Sequence, residues 1–541
     1  MHRWLLGASM AAISAIVALP LLALVVLSFD GEAQVWSHLA STVLGEYVLT
    51  SLALMLGVGI GTSVLGIASA YVVTQYSFTG RRFFTWALLL PLAMPTYITA
   101  YAYTGLLDIA GPVQSAIRSQ MGLQFGEYWF PQIRSLGGAI VIFSLVLYPY
   151  VYLLVRASLL NQSPNLNHAA RLFGKGKWQR LTSVTLPLAR PAIVAGVSLA
   201  LMETLADFGA VSYFGISTFT TGIYRTWNGL NAAPAAAQLS LSLLSFIVVL
   251  VILEKSSRKR AQYEIKNRTP VQSLRALKGW GLLFAFCVIG LPILLGFAVP
   301  VFQLALWAIS YFEPQGMSAY LTLVNNTVTL ALLTSVCAAV LATTLIYAYR
   351  ILDNRYAAVM KSIVGMGYAL PGVVIAVGTL IPLALWDNGL DSFMRTHFDI
   401  STGLLLSGTL FALIFAYLVR FLTVSVNALE PGFANIPRNL DMVTRSLGER
   451  PWGVLKRVHF PLLRPSLLSA LLIVFVEVMK ELPATLILRP FNFNTLAVRA
   501  FELASDERLP EAALASLTIV VVGLIPVILL TRLMQHRLSS T

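Results

Sequence analysis

Four carboxylates stand inside long apolar stretches of this 541-residue chain, in two pairs. Glu203 and Asp207 share one stretch and Glu477 and Glu481 share another; each pair is spaced i,i+4, and each member lies 274 residues from its counterpart (477 − 203, 481 − 207). On a continuous helix that spacing puts both members of a pair on one face. A charge at the centre of a bilayer costs about 2.5–3.5 kcal/mol on insertion scales, so carboxylates kept there need a cation, a partner or a proton. Hard cations prefer oxygen donors, and Tyr97, Tyr101 and Tyr103 in a neighbouring stretch add phenolic oxygens. The chemistry this composes is a transient cation path, with the two pairs facing each other across a pseudo-two-fold axis. It is not a tight site, because conduction needs contacts that an ion can leave. A plainer reading stands beside it: Lys480, i+3 from Glu477, neutralises that carboxylate within one helix. The path reading predicts that Glu203→Ala with Glu477→Ala abolishes transport while leaving assembly intact.

The elements that must hold these residues are membrane spans. The chain is 57% hydrophobic and only 11% charged, against about 25% charged for soluble domains. Apolar runs of bilayer length fall near 4–29, 48–76, 84–107, 138–160, 191–215 and 238–254, then again near 279–310, 325–351, 357–385, 402–424, 465–489 and 512–533. This predicts an all-α integral membrane protein of about twelve spans in two parallel six-helix repeats, residues 1–262 and 263–541. The first run is too long for a signal-peptide core and reads as an uncleaved span. Arg81, Arg82, the 156–190 loop, the 255–278 linker, Arg350, Arg355, Lys361, the 420–464 loop, Arg532 and Arg537 fall on one side. By the positive-inside rule that side is cytoplasmic, as are both termini. The net charge of +14 is accounted for in this way, without nucleic acid. Pro95 and Pro371 recur mid-span and predict bent helices.

Two basic islands between spans repeat each other at the same offset. His168-Ala169-Ala170-Arg171-Leu172-Phe173-Gly174, running on to Leu186-Pro187, matches Met442-Val443-Thr444-Arg445-Ser446-Leu447-Gly448, running on to Phe460-Pro461. Helix-starting residues open each island, and each glycine marks a turn. A second amphipathic stretch, with Trp178 or Trp452 at its start, is expected to end at Pro187 or Pro461, the next span beginning at Pro191 or Pro465. The product is a short helix lying nearly flat on the cytoplasmic face, shaped to dock a soluble partner.

These islands, 163–190 and 437–464, resemble the EAA motif of ABC importer permeases, with Ala169-Ala170, Gly174, Val184 and Leu186-Pro187 fitting the first copy and Gly448, Val458 and Pro461 the second. His168 and Met442 replace the motif's Glu, and Val443-Thr444 replaces its Ala-Ala. Glu203 to Arg225 and Glu481 to Arg499 further resemble the ferric-iron permeases that fuse two permease domains in one chain. The resemblance implies a type I importer permease fold in a bacterial inner membrane. It further implies two copies of a cytoplasmic ATP-binding subunit on the twin loops, an extracytoplasmic ferric-ion-binding protein and Fe³⁺ as the substrate. His168, Ala169, Ala170, Arg171, Gly174, Pro187, Met442, Val443, Thr444, Arg445, Gly448 and Pro461 would carry the coupling. Thiamine and polyamine permeases share the fold and are rivals for the substrate. An ion-gradient secondary transporter is a rival of another class, against which the paired docking loops speak.

An enzyme is not expected. The chain has no Gly-x₄-Gly-Lys-[Ser/Thr] phosphate loop, so ATP belongs to the partner. It has no His-Glu-x-x-His or Cys-x-x-Cys metal motif, and no cofactor is expected. Cys287 and Cys337 lie singly in apolar runs, and the six histidines are scattered and expected to be solvated.

Overall fold

A computed structural model describes residues 2–30, 33–124, 126–162, 169–259, 275–311, 316–446 and 448–539. Eleven helices among them are long and apolar enough to cross a membrane; a twelfth span is a bent pair, Arg81–Ala93 with Thr96–Met121, turned by 91°. The all-α, twelve-span expectation thus holds. Among the described residues, one strand pairing joins Tyr76–Ser77 to Arg275–Ala276.

Helix Leu44–Gln75 shows how such a sequence packs in lipid. Leu49, Leu52, Leu56, Ile60 and Val64 form an exposed apolar stripe, while Ser51, Leu54, Val58, Thr62, Gly66, Ser69 and Ala70 are buried. The small residues let the neighbouring helix, Leu136–Leu160, approach closely. A Cβ at Gly61 would lie 2.1 Å from Ser144 Oγ, and one at Gly66 would lie 2.7 Å from Val151 Cβ.

The helices form two compact units. One comprises Met1–Val43, Thr220–Ser242 and Glu313–Glu502; the other comprises Leu44–Phe219, Leu243–Phe312 and Leu503–Thr541. Each unit draws mainly on one repeat and takes the first span of the other, and the second unit also takes the last span of the second repeat. In the first unit His2–Phe29 packs against Gly372–Phe398 and Met317–Leu352. A Cβ at Gly378 would lie 2.6 Å from Pro20 O. In the second unit Val299–Ser310 packs against Leu509–Ser539 and Thr96–Leu107.

Two expectations about prolines are corrected. Pro95 and Pro371 do not bend continuous helices: each stands in extended backbone (φ −60°, ψ 140° and φ −60°, ψ 143°) immediately before a new helix, Thr96–Leu107 or Gly372–Phe398. Proline's fixed φ and missing N–H suit a helix start better than an interior. Pro187 and Pro461 do not end the amphipathic stretch either. The helix runs unbroken over Trp178–Ala206 and Trp452–Met479. A π-helical turn, Leu181–Thr185 or Leu455–His459, lies just before each proline, and the Leu186 and Phe460 N–H groups donate five residues back to Leu181 O and Leu455 O. The wider turn accommodates the ring and the lost donor that would break an α-helix.

Candidate functional site

The fifth span of each repeat stops where the carboxylates stand. Leu186–Ala206 ends at Asp207, whose backbone is extended (φ −67°, ψ 137°), and a short helix, Gly209–Tyr213, follows. Phe460–Met479 ends at Lys480, and Pro483–Leu488 follows Glu481. Glu203 with Asp207, and Glu477 with Glu481, therefore do not share one helical face; the helix that would align them ends between the members of each pair. Asp207 Oδ1 accepts from the backbone N–H groups of Ala210 (3.0 Å) and Val211 (3.3 Å). Glu481 Oε1 accepts from Ala484 N at 3.1 Å, and its Oε2 from Thr485 N at 3.2 Å. Both carboxylates thus satisfy the orphan N–H groups of the half-helix that follows, where negative charge also suits the helix dipole.

The helices begun by Pro95 and Pro371 dock on these caps. In the first repeat Thr96 Oγ1 donates to Asp207 Oδ2 at 2.5 Å. In the second the equivalent residue is Gly372, and a Cβ there would lie 2.5 Å from Glu481 Oε1 and 2.9 Å from Arg420 Nη1. The space left by glycine is used by Arg420, whose Nη1 donates to Glu481 Oε1 at 3.2 Å; the two side chains are 13% and 2% exposed. Arg420, which falls with the loop charges by sequence, stands ten residues into helix Leu410–Ala434, where the first repeat has Val146. Tyr417 and Thr485 share a 2.5 Å hydrogen bond beside the pair.

The other two carboxylates differ as well. Glu477 Oε1 pairs with Lys480 Nζ at 2.8 Å, both partly buried. Glu203 is partly buried near the end of its helix. Tyr97 and Tyr101 share a face with ring centroids 5.7 Å apart, and Tyr101 meets Tyr213 edge-on at 4.7 Å. Tyr103 points elsewhere, donating to Leu295 O at 2.5 Å. Among the described residues no group of three or more His, Cys, Asp or Glu is placed to hold a metal ion.

Beyond the half-helices, Arg134 joins the 107–135 loop to the start of the last span, gripping Glu507 with both Nη atoms at 2.6 and 2.7 Å. Its guanidinium also lies 5.0 Å from the centroid of the Tyr213 ring. That hydrogen bond holds the Glu507 carboxylate below the usual range and raises Arg134.

At the basic islands, Gly174 and Gly448 both have positive φ, +76° and +87°. Gly174 N donates to Arg171 O and Lys175 N to Ala170 O, a Schellman closure that only a residue at ease with positive φ completes cheaply. Leu172, Phe173 and Trp178 stand exposed in the first island, and Met442, Val443 and Trp452 in the second; Ala170 is buried. Ala169 and Thr444 are partly buried, whereas Arg171, Pro187 and Pro461 are exposed. His168 and the side chain of Arg445 lie outside the described residues. The second island carries a network that sequence reading missed. Asp441 accepts from Arg350 Nε at 2.7 Å and meets His459 Nε2 at 2.7 Å, while Arg350 also donates to Phe433 O and Ile436 O. His459, expected to be solvated, is fully buried. The first repeat has Thr185 at the position of His459.

These features define a polytopic α-helical membrane protein built by duplication, with a broken fifth span in each repeat. The chain belongs to the family of binding-protein-dependent transport system inner membrane components, whose model matches residues 62–262 and 347–540. It is 26% identical over 494 residues to an Fe(3+)-transport system permease protein, FbpB 2 of Haemophilus influenzae, covering 90% of each chain. A ferric transport system permease protein, FbpB of Actinobacillus pleuropneumoniae, is 23% identical over 85% of this chain and 67% of its own length. The sulfate transport system permease protein CysT of Escherichia coli is 30% identical over 38% of this chain and 73% of its own.

Proposed function

We propose that this chain is the permease subunit of an ATP-driven importer that carries ferric iron across a bacterial inner membrane, with two permease domains, 1–262 and 263–541. The observation that carries the iron reading is the alignment with a ferric permease along 90% of both chains. The buried carboxylates and phenols agree with it, since an oxyanion calls for N–H donors and cations, and the buried Arg420 is already engaged by Glu481. Two copies of an ATP-binding subunit dock on loops 163–190 and 437–464, where exposed apolar side chains flank the positive-φ glycines. A ferric-ion-binding protein delivers its ion on the opposite side. Both termini are cytoplasmic, and the chain performs no catalysis of its own and holds no cofactor.

Of the four carboxylates, Glu477 and Glu481 pair with Lys480 and Arg420, while Asp207 accepts from the Thr96 hydroxyl and two backbone N–H groups; the passing cation is assigned to the first repeat, at Glu203 and Asp207. The caps at Asp207 and Glu481 hold the half-helices in place. Each stands just past the end of a continuous helix that starts inside its docking loop, Trp178–Ala206 or Trp452–Met479, and through that helix ATP-driven movement reaches the cap.

Uptake of radiolabelled iron into vesicles holding this chain, with and without ATP, the ATP-binding subunit and the binding protein, tests the reading. Uptake that requires all three is expected. Gradient-driven uptake by this chain alone would overturn it.

A further inference from the structure

The phenols of the first repeat have no counterpart in the second. At the positions of Tyr97, Tyr101 and Tyr213 the second repeat carries Val373, Val377 and Ile487. Val373 and Val377 are fully buried there. The same backbone device therefore packs well with aliphatic side chains, and packing alone does not demand phenols in the first repeat.

Tyr101 stands at the centre of the difference. It is 1% exposed, and its hydroxyl has no hydrogen-bond partner among the described groups. An unmade buried hydrogen bond costs roughly 1–3 kcal/mol, a cost that phenylalanine would avoid. The ring is fixed between Tyr97 and Tyr213. Tyr213 lies on the half-helix capped by Asp207, and Tyr101 lies on the helix whose first residue, Thr96, donates to Asp207. Tyr101 is thus held between two elements anchored on one carboxylate.

We propose that Tyr101 and Asp207 together form an oxygen-donor contact for a hard trivalent cation, present in the first repeat alone. Tyr97 and Tyr213 position the Tyr101 ring, and Arg134, stacked on Tyr213, fixes the wall from the loop side. A phenol oxygen and a carboxylate are both hard donors, and two such contacts without a closed ligand shell let the ion move on. This inference rests on the ferric reading above.

The test uses the full chain assembled with its ATP-binding subunit and binding protein in vesicles. Initial rates of radioiron and radiosulfate uptake are measured together with binding-protein-stimulated ATP hydrolysis. Tyr101→Phe, which removes the oxygen donor, is expected to lower iron uptake about tenfold, equivalent to about 1.4 kcal/mol, while stimulated ATP hydrolysis is kept. Tyr103→Phe serves as the comparison phenol and is expected to keep uptake per folded molecule. If Tyr101→Phe lowers the amount of folded protein, Asp207→Asn carries the test, since asparagine caps a helix as well as aspartate does. Unchanged iron uptake in Tyr101→Phe, with active wild type, would overturn the contact and leave the ferric reading standing. Sulfate uptake without iron uptake by the wild type would overturn both.

Discussion

Asp207 and Glu481 occupy equivalent places in the two repeats and do the same local work by different means. Each ends the fifth span, accepts N–H groups from the half-helix that follows, and receives the helix begun by Pro95 or Pro371. The surroundings then diverge. Asp207 is held by a hydroxyl, Thr96; Glu481 is held by a buried guanidinium, Arg420, and Gly372 is what makes room for it. Duplication kept the cap, because every broken helix must satisfy its first N–H groups. It did not keep the side chains around the cap. The second repeat pairs its carboxylate with a buried cation, and the first holds its own with a hydroxyl and two backbone N–H groups.

The largest expected effect is in the second repeat. Glu481→Ala strands Arg420 in a site 13% exposed, and breaking a buried pair from one side costs about 3–5 kcal/mol. A large fall in thermal stability in detergent is expected, with partial recovery when Arg420→Val is added to restore the residue type of the first repeat. A stability unchanged by Glu481→Ala would remove the ion pair from the comparison. Gly372→Ala should come next: its Cβ would fall within 3 Å of both Glu481 and Arg420, and overpacking of this kind costs about 1–3 kcal/mol.

In the first repeat the cap is separable from the charge. Asp207→Ala should lower stability by about 1 kcal/mol, as for other lost caps, whereas Asp207→Asn should be nearly neutral. Equal destabilisation by both variants would mean that the charge, not the cap, holds the half-helix. The smallest effect concerns Glu507. Its folded pKa is depressed by Arg134, so its contribution is present above the unfolded carboxylate range and is lost as pH falls through the folded value. With side chains 31% and 61% exposed, the clasp is worth about 1 kcal/mol or less. Acid should therefore narrow the stability gap between wild type and Glu507→Gln; a gap that widens on acidification would show that Glu507 is not held this way.

Much of this plan was legible in the sequence. The offset of 274, the span lengths and the twin islands follow from apolar periodicity and from residues such as Gly174 and Gly448, whose positive φ only a turn requires. The breaks were not read, because i,i+4 carboxylates in an apolar run fit a continuous helix by spacing alone. Pro483, two residues after Glu481, was the available signal: proline just after a polar residue marks a helix start. Arg420 and His459 were misplaced for a related reason. Loop charge was assigned from where an apolar run fades, and a basic residue at the end of a run reads as solvated until a partner such as Glu481 or Asp441, 61 or 18 residues away, is known. The phenol asymmetry is half visible in the sequence: Tyr97, Tyr101 and Tyr103 stand out, but Tyr103 turns away to Leu295 O, and Tyr213 does not stand out because only the break brings it against Tyr101.

One side-by-side measurement bears most directly on the division of labour between the repeats. ATP-driven radioiron uptake is compared for Asp207→Asn and for the charge-cancelling double variant Arg420→Val/Glu481→Gln, each normalised to folded, assembled transporter. The first is predicted to lose about tenfold in rate, equivalent to about 1.4 kcal/mol, and the double variant to stay within about twofold of wild type, under about 0.5 kcal/mol. Equal losses in both, or a greater loss in the double variant, would contradict the assignment of the cation contact to the first repeat.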